Sequence, residues 1–274
     1  PAGGLVDVAG RIVFQKISET LGQQFIIDNR PGATGSIGAD LVAKSPPDGY
    51  TIMVHSTSHV SNPHVYSKLP YDTLKDFVGV GLLVAQTGLL VVHPSLPVKS
   101  VKELVALANA RPDQILYASS GSGSFSHLAV ALLTSMTGTR MVHVPYKGGG
   151  PATTALISGE TQFLVGSPAA VLTQINAKRL RLLAVTSDTR LPQFPDTPTV
   201  AQAGVPGYEF RAWVGVLAPA GTPKAIVDRV NAEIKKAQDS PDMKSKLESF
   251  EPWYMTPEQT AARIRSDYDK YGKL

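Results

Sequence analysis

An α/β fold in two lobes, with two mostly parallel sheets and a ligand cleft between the lobes, is the architecture that this 274-residue sequence predicts. Three observations lead there. Short apolar segments alternate with amphipathic ones, and strands that alternate with helices form mostly parallel sheets covered on both faces. The series is interrupted at Pro94-Ser95-Leu96-Pro97 and then resumes. A late apolar strand over 212–217, followed by helices, returns the chain to the first series. The lobes are therefore expected at 1–94 with 212–274 and at 95–211. A chain that crosses twice between lobes places a hinge and a cleft between them.

The elements follow in order. Residues 7–21 read as an amphipathic helix with Val8, Ile12, Val13 and Ile17 on one face. Residues 25–29 read as a short strand, Pro31-Gly32-Ala33-Thr34-Gly35 as a turn and 36–43 as a helix. A buried strand over 50–54 ends in the polar loop His55-Ser56-Thr57-Ser58, and 78–92 supplies one or two strands. Ser100 caps a helix running to Ala110, with Glu103 at the capping-box position. Strands are expected at 114–118, 141–144, 162–165 and 181–186, and helices at 125–137 and 151–158. After 212–217 the chain reads as helical, apart from a short strand near Pro252-Trp253-Tyr254.

Composition narrows the function. A hydrophobic content of 43% with 18% charged residues is that of a folded globular protein. The net charge of +4 is scattered, and the densest basic cluster, Lys178-Arg179-Leu180-Arg181, lacks the stripe and interleaved aromatics of a nucleic-acid surface. The absence of cysteine excludes a disulfide framework, a thiolate metal site and a cysteine nucleophile. No apolar run reaches membrane-spanning length, since 78–92 is broken by Gln86 and Thr87. The chain opens on the turn Pro1-Ala2-Gly3-Gly4 without the strand that leads into such a turn, so a leader and a first strand are expected upstream.

The loops at 1–7, 55–62, 119–126 and 146–152 share one design: small polar or glycine residues that lead into a helix, after a buried strand wherever the sequence shows one. In open parallel sheets the carboxyl ends of strands line the ligand crevice. Helix starts there expose backbone N–H groups and a partial positive charge, glycine permits close approach, and hydroxyls add donors. Such loops suit an anion bound without metal or cofactor. Asp7, in the first loop, either caps its helix or holds a water or amino group of the ligand, and Trp213 either packs in the core or lines the cleft.

Catalytic motifs are mostly absent. There is no G-x-S-x-G, H-E-x-x-H or G-x-x-x-x-G-K-[ST] pattern, and Gly121-Ser122-Gly123 misses the third glycine of a dinucleotide fingerprint because Ser126 stands there. A serine hydrolase using Ser120 or Ser122 with His127 is the alternative from another class, although no carboxylate is placed by local spacing to orient the imidazole. His55, His59 and His64 resemble a metal cluster, but they read as exposed loop histidines around Pro63 rather than as ligands.

Several stretches carry a family resemblance. They include Pro1-Ala2-Gly3-Gly4 with Asp7 and Arg11, Asn29-Arg30-Pro31-Gly32-Ala33, Pro47-Asp48-Gly49-Tyr50-Thr51, Tyr117-Ala118-Ser119-Ser120-Gly121, Val144-Pro145-Tyr146-Lys147-Gly148, and Ala218-Pro219-Ala220-Gly221-Thr222-Pro223. In them the chain resembles the substrate-binding proteins of tripartite tricarboxylate transporters, the Bug or TctC type. The resemblance implies a periplasmic two-lobed binding protein of type II, the Venus-flytrap kind. It implies a small carboxylate ligand, membrane transporter subunits as partners, a monomeric shuttle, no nucleic acid and no enzymatic activity. A sensor subunit that reports the carboxylate would look the same. Carried over by position, Ala2, Gly3, Gly4, Asp7, Ser56, Thr57 and Ser58 would face the ligand from one lobe, and Ser120, Gly121, Ser122, Tyr146 and Lys147 from the other. Many relatives carry an acidic residue after the strand matching Phe163-Leu164-Val165. Here Gly166-Ser167 follows, which turns the expectation from amino acids toward plain or aromatic carboxylates, with Ser167 at the ligand.

Overall fold

The computed structural model describes residues 5–246 and 251–273. The chain divides into two compact units, one running to Ala85 and resuming at Ala212–Lys273, the other Gln86–Arg211. The first division falls inside a strand rather than at the Pro94–Pro97 connection.

In the first unit, helix α1 (Leu5–Leu21) buries Ala9, Val13, Phe14 and Ile17. The helix thus forms, two residues longer at its start than expected, and its buried face takes in Val13 and Ile17 of the expected set while Val8 and Ile12 are half-buried. Residues 25–29 make no strand, although Phe25 and Ile27 pack on the core of this unit. A 3-10 turn (Ala33–Gly35) leads into α2 (Ser36–Ala43). Strand β1 (Met53–Ser56) runs directly into α3 (Ser58–Val65), so His59 and His64 lie on a helix that contains Pro63. Strand β2 (Phe77–Thr87) and, late in the chain, β8 (Arg211–Pro219) and β9 (Glu251–Pro252) complete a sheet of order β1-β8-β2-β9. Helices α8 (Lys224–Asp239), α9 (Pro241–Lys246) and α10 (Pro257–Tyr271) close the unit. Its core joins α1 to Val80, Leu83 and Val84 of β2, Val214 and Val216 of β8, and Val227 and Ile234 of α8.

The second unit holds β3 (Leu89–Val92), α4 (Val101–Ala110), β4 (Leu116–Ser119), α5 (Phe125–Thr137), β5 (Val142–Pro145), α6 (Gly149–Ser158), β6 (Phe163–Gly166), α7 (Pro168–Asn176) and β7 (Arg181–Val185). The sheet order is β5-β4-β6-β3-β7. Leu89, Val91, Ala118, Leu156, Leu164 and Val171 belong to its core. Ser100 caps α4 through Glu103 N–H, while the Glu103 carboxylate accepts from Lys99 N–H at 2.7 Å, one residue before the cap.

The sheets correct the expectation of mostly parallel strands. β1 pairs antiparallel with β8, and β2 with β9. In the second sheet β4 is parallel to β5 and β6, but β3 is antiparallel to both β6 and β7. β6 and β7 are joined through α7 and run parallel to each other, as a helical crossover allows, while β3, which follows β2 of the other sheet, lies between them in the opposite direction.

Candidate functional site

The parallel part of the second sheet carries the chemistry. β5, β4 and β6 lie side by side, and each ends in a loop that starts a helix. Ser124 begins α5, Gly148 begins α6 and Ser167 begins α7. The register pairs Ser119 with Pro145, so these strand ends and helix starts share one edge of the sheet. Each start presents first-turn N–H groups without helical partners, and the three partial positive charges add. The loops offer the hydroxyls of Ser120, Ser122, Ser124 and Ser167, with Lys147 exposed beside them and no carboxylate among residues 119–124, 146–148 and 166–167.

The 119–124 loop is held from within. Gly121 takes φ 131° and Gly123 φ 74°, which suits glycine. Ser120 N–H donates to Ser126 Oγ at 2.8 Å, Gly121 N–H to Ser119 Oγ at 3.1 Å, and Gly123 N–H to His127 Nδ1 at 3.2 Å. Ser120 Oγ lies 3.0 Å from Ser126 Oγ. Ser122 and Gly123 are exposed at the tip. The hydroxyl of Ser119 meets His143 Nε2, and His143 stacks on His127 at 4.0 Å and on Tyr117 at 5.0 Å between ring centroids. Burial lowers the pKa of both histidines, His127 adding to the effect on His143, and pushes the Tyr117 phenol up to about 12. Tyr146 donates its N–H to Ser119 O at 2.9 Å and its hydroxyl to Glu160 at 3.3 Å. Sequence reasoning missed Ser119, Ser126 and His143. Ser126, in the first turn of α5, was open to recognition from cap spacing, whereas the Ser119–His143 contact joins two strands and leaves no local signal.

In the first unit Ser56 and Ser58 come together at the end of β1, with Oγ atoms 2.9 Å apart. Thr57, between them, is buried, and its hydroxyl accepts from Trp213 N–H at 2.8 Å, so it ties α3 to β8. Asp7 is buried in the first turn of α1, where one oxygen accepts from Arg11 Nε at 2.9 Å and Asn29 Nδ2 at 2.8 Å. Asn29 was not anticipated in this role. Trp213 is a core residue, 1% exposed, whose Nε1 donates to Asp267 at 2.9 Å. Ala2, Gly3 and Gly4 lie outside the described residues.

Two expectations about histidines are corrected. His55 and His59 are buried rather than exposed, because β1 and α3 carry them inward; His59 stacks on Tyr71 and meets the edge of Phe77 at 4.9 Å. Burial, with the neighbouring His55, takes the His59 pKa down to about 3, and burial lowers that of His55. Among the described residues no group of three or more His, Cys, Asp or Glu could hold a metal. The hydrolase geometry is not supported: His127 Nδ1 is taken by Gly123, and the Ser120 hydroxyl pairs with Ser126. No helix among the described residues is long and apolar enough to cross a membrane.

The chain is similar to known proteins over nearly its whole length. A Pseudomonas sp. (strain P51) protein described as the UPF0065 protein in the tcbD-tcbE intergenic region is 41% identical over 277 residues, covering 100% of this chain and 82% of that protein. The solved structure of R. palustris Rpa4515 with adipate is 36% identical with a TM-score of 0.77, covering 100% of this chain and 92% of that one. MatC from Rhodopseudomonas palustris with bound malate is 30% identical with a TM-score of 0.73, covering 99% and 95%. The fold is also that of the structure described as periplasmic binding protein BugD, 29% identical with a TM-score of 0.73, covering 100% of this chain and 93% of that one. The family described as "Tripartite tricarboxylate transporter family receptor" matches residues 9–274, and the chain belongs to that family of solute-binding receptors.

Proposed function

We propose that the chain captures a small carboxylate in the periplasm and delivers it to the membrane subunits of a tripartite transporter, acting as a monomer and without chemistry on the ligand. The observation that carries this reading is the convergence of three helix starts, at Ser124, Gly148 and Ser167, on one edge of the second sheet, in loops that hold hydroxyls and a lysine but no carboxylate. Such an edge attracts a carboxylate through oriented N–H dipoles and needs no metal. Ser120, Gly121, Ser122, Tyr146, Lys147 and Ser167 contribute from the second unit, and Ser56 and Ser58 with the 2–4 segment from the first. Thr57 and Asp7 support these loops from behind, because their polar atoms already serve the protein. A ligand with contacts to both sets selects the conformations in which both are within reach, and no bond is made or broken.

The two ligand-bound relatives hold adipate and malate, each with two carboxylates, which makes dicarboxylates the first class to test here. The test is native mass spectrometry of gently purified protein, followed by thermal shift against mono-, di-, tri- and aromatic carboxylates. A ligand at a hundred times its dissociation constant stabilises the native state by about 2.7 kcal/mol, a shift of a few degrees. A saturable shift for one class, lost in Ser122→Ala and Ser56→Ala, supports the reading. A folded protein that responds to no carboxylate refutes it, and steady hydrolysis of an ester would refute binding without chemistry.

A further inference from the structure

We propose that His127 is a positioning residue for ligand capture: as a neutral imidazole, braced by the stacked ring of His143, it holds the Ser120–Ser124 loop in its receiving shape, so that acid loosens the loop. The consequence for ligand affinity rests on the carboxylate reading above; the loop geometry does not.

The loop has three inward N–H groups, and each has a side-chain acceptor. Ser120 donates to Ser126 Oγ, Gly121 to Ser119 Oγ and Gly123 to His127 Nδ1. Only the last acceptor changes with pH. An imidazole that accepts at Nδ1 carries its proton on Nε2, and an imidazolium accepts at neither nitrogen. Protonation of His127 therefore removes the hold on Gly123, the residue at the exposed tip with φ 74°. The two hydroxyl acceptors keep their hydrogen bonds at any pH, so the loop loosens at its tip while its base stays fixed.

The surroundings favour the neutral ring. His143, on β5, lies face to face with His127 at 4.0 Å and 26°, so a second positive charge there would be repelled. Tyr117, on β4, is the other titratable group of the stack, 6.4 Å from His127, and stays uncharged. Phe163, from β6, packs on Tyr117 and adds no charge. Among the described residues no carboxylate or ammonium is hydrogen-bonded to either imidazole. His143 itself meets Ser119, whose hydroxyl donates to Gly121 O at 3.1 Å, so the same stack also steadies the base of the loop.

The test uses the full chain labelled with nitrogen-15. Long-range proton–nitrogen spectra from pH 8 to pH 5, without ligand, follow the His127 ring and the Gly121 and Gly123 amides. Calorimetry with adipate as the probe is then run at pH 8 and pH 5 on the wild type, His127→Asn, which offers an acceptor that does not titrate, and His127→Phe, which offers none. The expected result is an Nε2–H tautomer at pH 8, with the Gly123 amide moving at the same midpoint as the ring. Adipate affinity in the wild type should fall at pH 5 by about fivefold more than in His127→Asn, the worth of one hydrogen bond. His127→Asn should lose between the two pH values only what protonation of adipate itself costs, and His127→Phe should be weakened at both. A Gly123 amide indifferent to the ring overturns the proposal, as does a loss of affinity between pH 8 and pH 5 that is the same in His127→Asn as in the wild type. If Gly123 follows His127 while no carboxylate binds at pH 8, the loop inference stands and the carboxylate reading fails.

Discussion

Acidification should destabilise the first unit through His59, and the size of the effect follows from its surroundings. The ring is fully buried, stacked on Tyr71 and edged by Phe77, with Nε2 3.2 Å from Thr73 O and no partner at Nδ1. Its pKa falls from the ordinary 6.5 to about 3, chiefly by burial and secondly by the charge of His55. The folded pKa is thus below the unfolded one, and the unfolded chain binds more protons. Stability is complete above pH 6.5 and is lost as the pH falls toward 3. At pH 5 an exposed imidazole is largely charged while the buried one is not, which corresponds to about 2 kcal/mol lost relative to pH 8. The assay is urea unfolding followed by tryptophan fluorescence. Trp213 and Trp253, the two tryptophans, both belong to the first unit and report on it alone. The comparison is His59→Gln, whose amide can still donate to Thr73 O but does not titrate. The variant is less stable at pH 8 for want of the ring contacts. Its loss between pH 8 and pH 5 should be smaller than that of the wild type by about 2 kcal/mol. His55 titrates in both proteins and cancels in the difference. Equal losses in wild type and variant, to within about 0.5 kcal/mol, would refute the argument that the buried ring resists protonation.

Two further perturbations probe the frame around the first-unit loops. At Gly35, φ is 89° and an added Cβ would come within 2.3 Å of His55 Nε2, so Gly35→Ala should cost about 2–4 kcal/mol in urea unfolding; a change under about 0.5 kcal/mol would show that the turn and His55 give way freely. Trp213→Phe deletes the 2.9 Å hydrogen bond to buried Asp267, which keeps Arg263 Nε at 2.8 Å, and should cost about 1.5–3 kcal/mol, read by circular dichroism melts; an unchanged midpoint would mean that Asp267 is satisfied by its cations alone.

What the sequence showed and what it hid divide by the range of the interaction responsible. Helix α5 runs Phe125–Thr137 as its pattern demands, because its signals are local: Ser124 caps the start and Gly138, at φ 65°, ends it. The strand pattern at 25–29 failed because alternation makes a strand only when a partner is beside it, and β1 pairs with β8 instead. Helix α7 was missed because only Val171 of it is buried, which leaves no apolar stripe to read, although it completes the trio of helix starts. The same division runs through the site. Small and hydroxyl residues after strands marked the loops at 119–124 and 146–148, since backbone chemistry at a strand end depends on residue type, whereas the loop expected at 55–62 is taken up by the end of β1 and by α3. The duties within the loops depend on partners far along the chain: Thr57 answers to Trp213, Asp7 to Asn29, and Ser119 to His143. A hydroxyl read as a ligand donor is therefore equally able to be a clamp. Separating the two requires the fold, because it is the fold that leaves Ser122 exposed at a loop tip and buries Thr57 between the end of β1 and the start of α3.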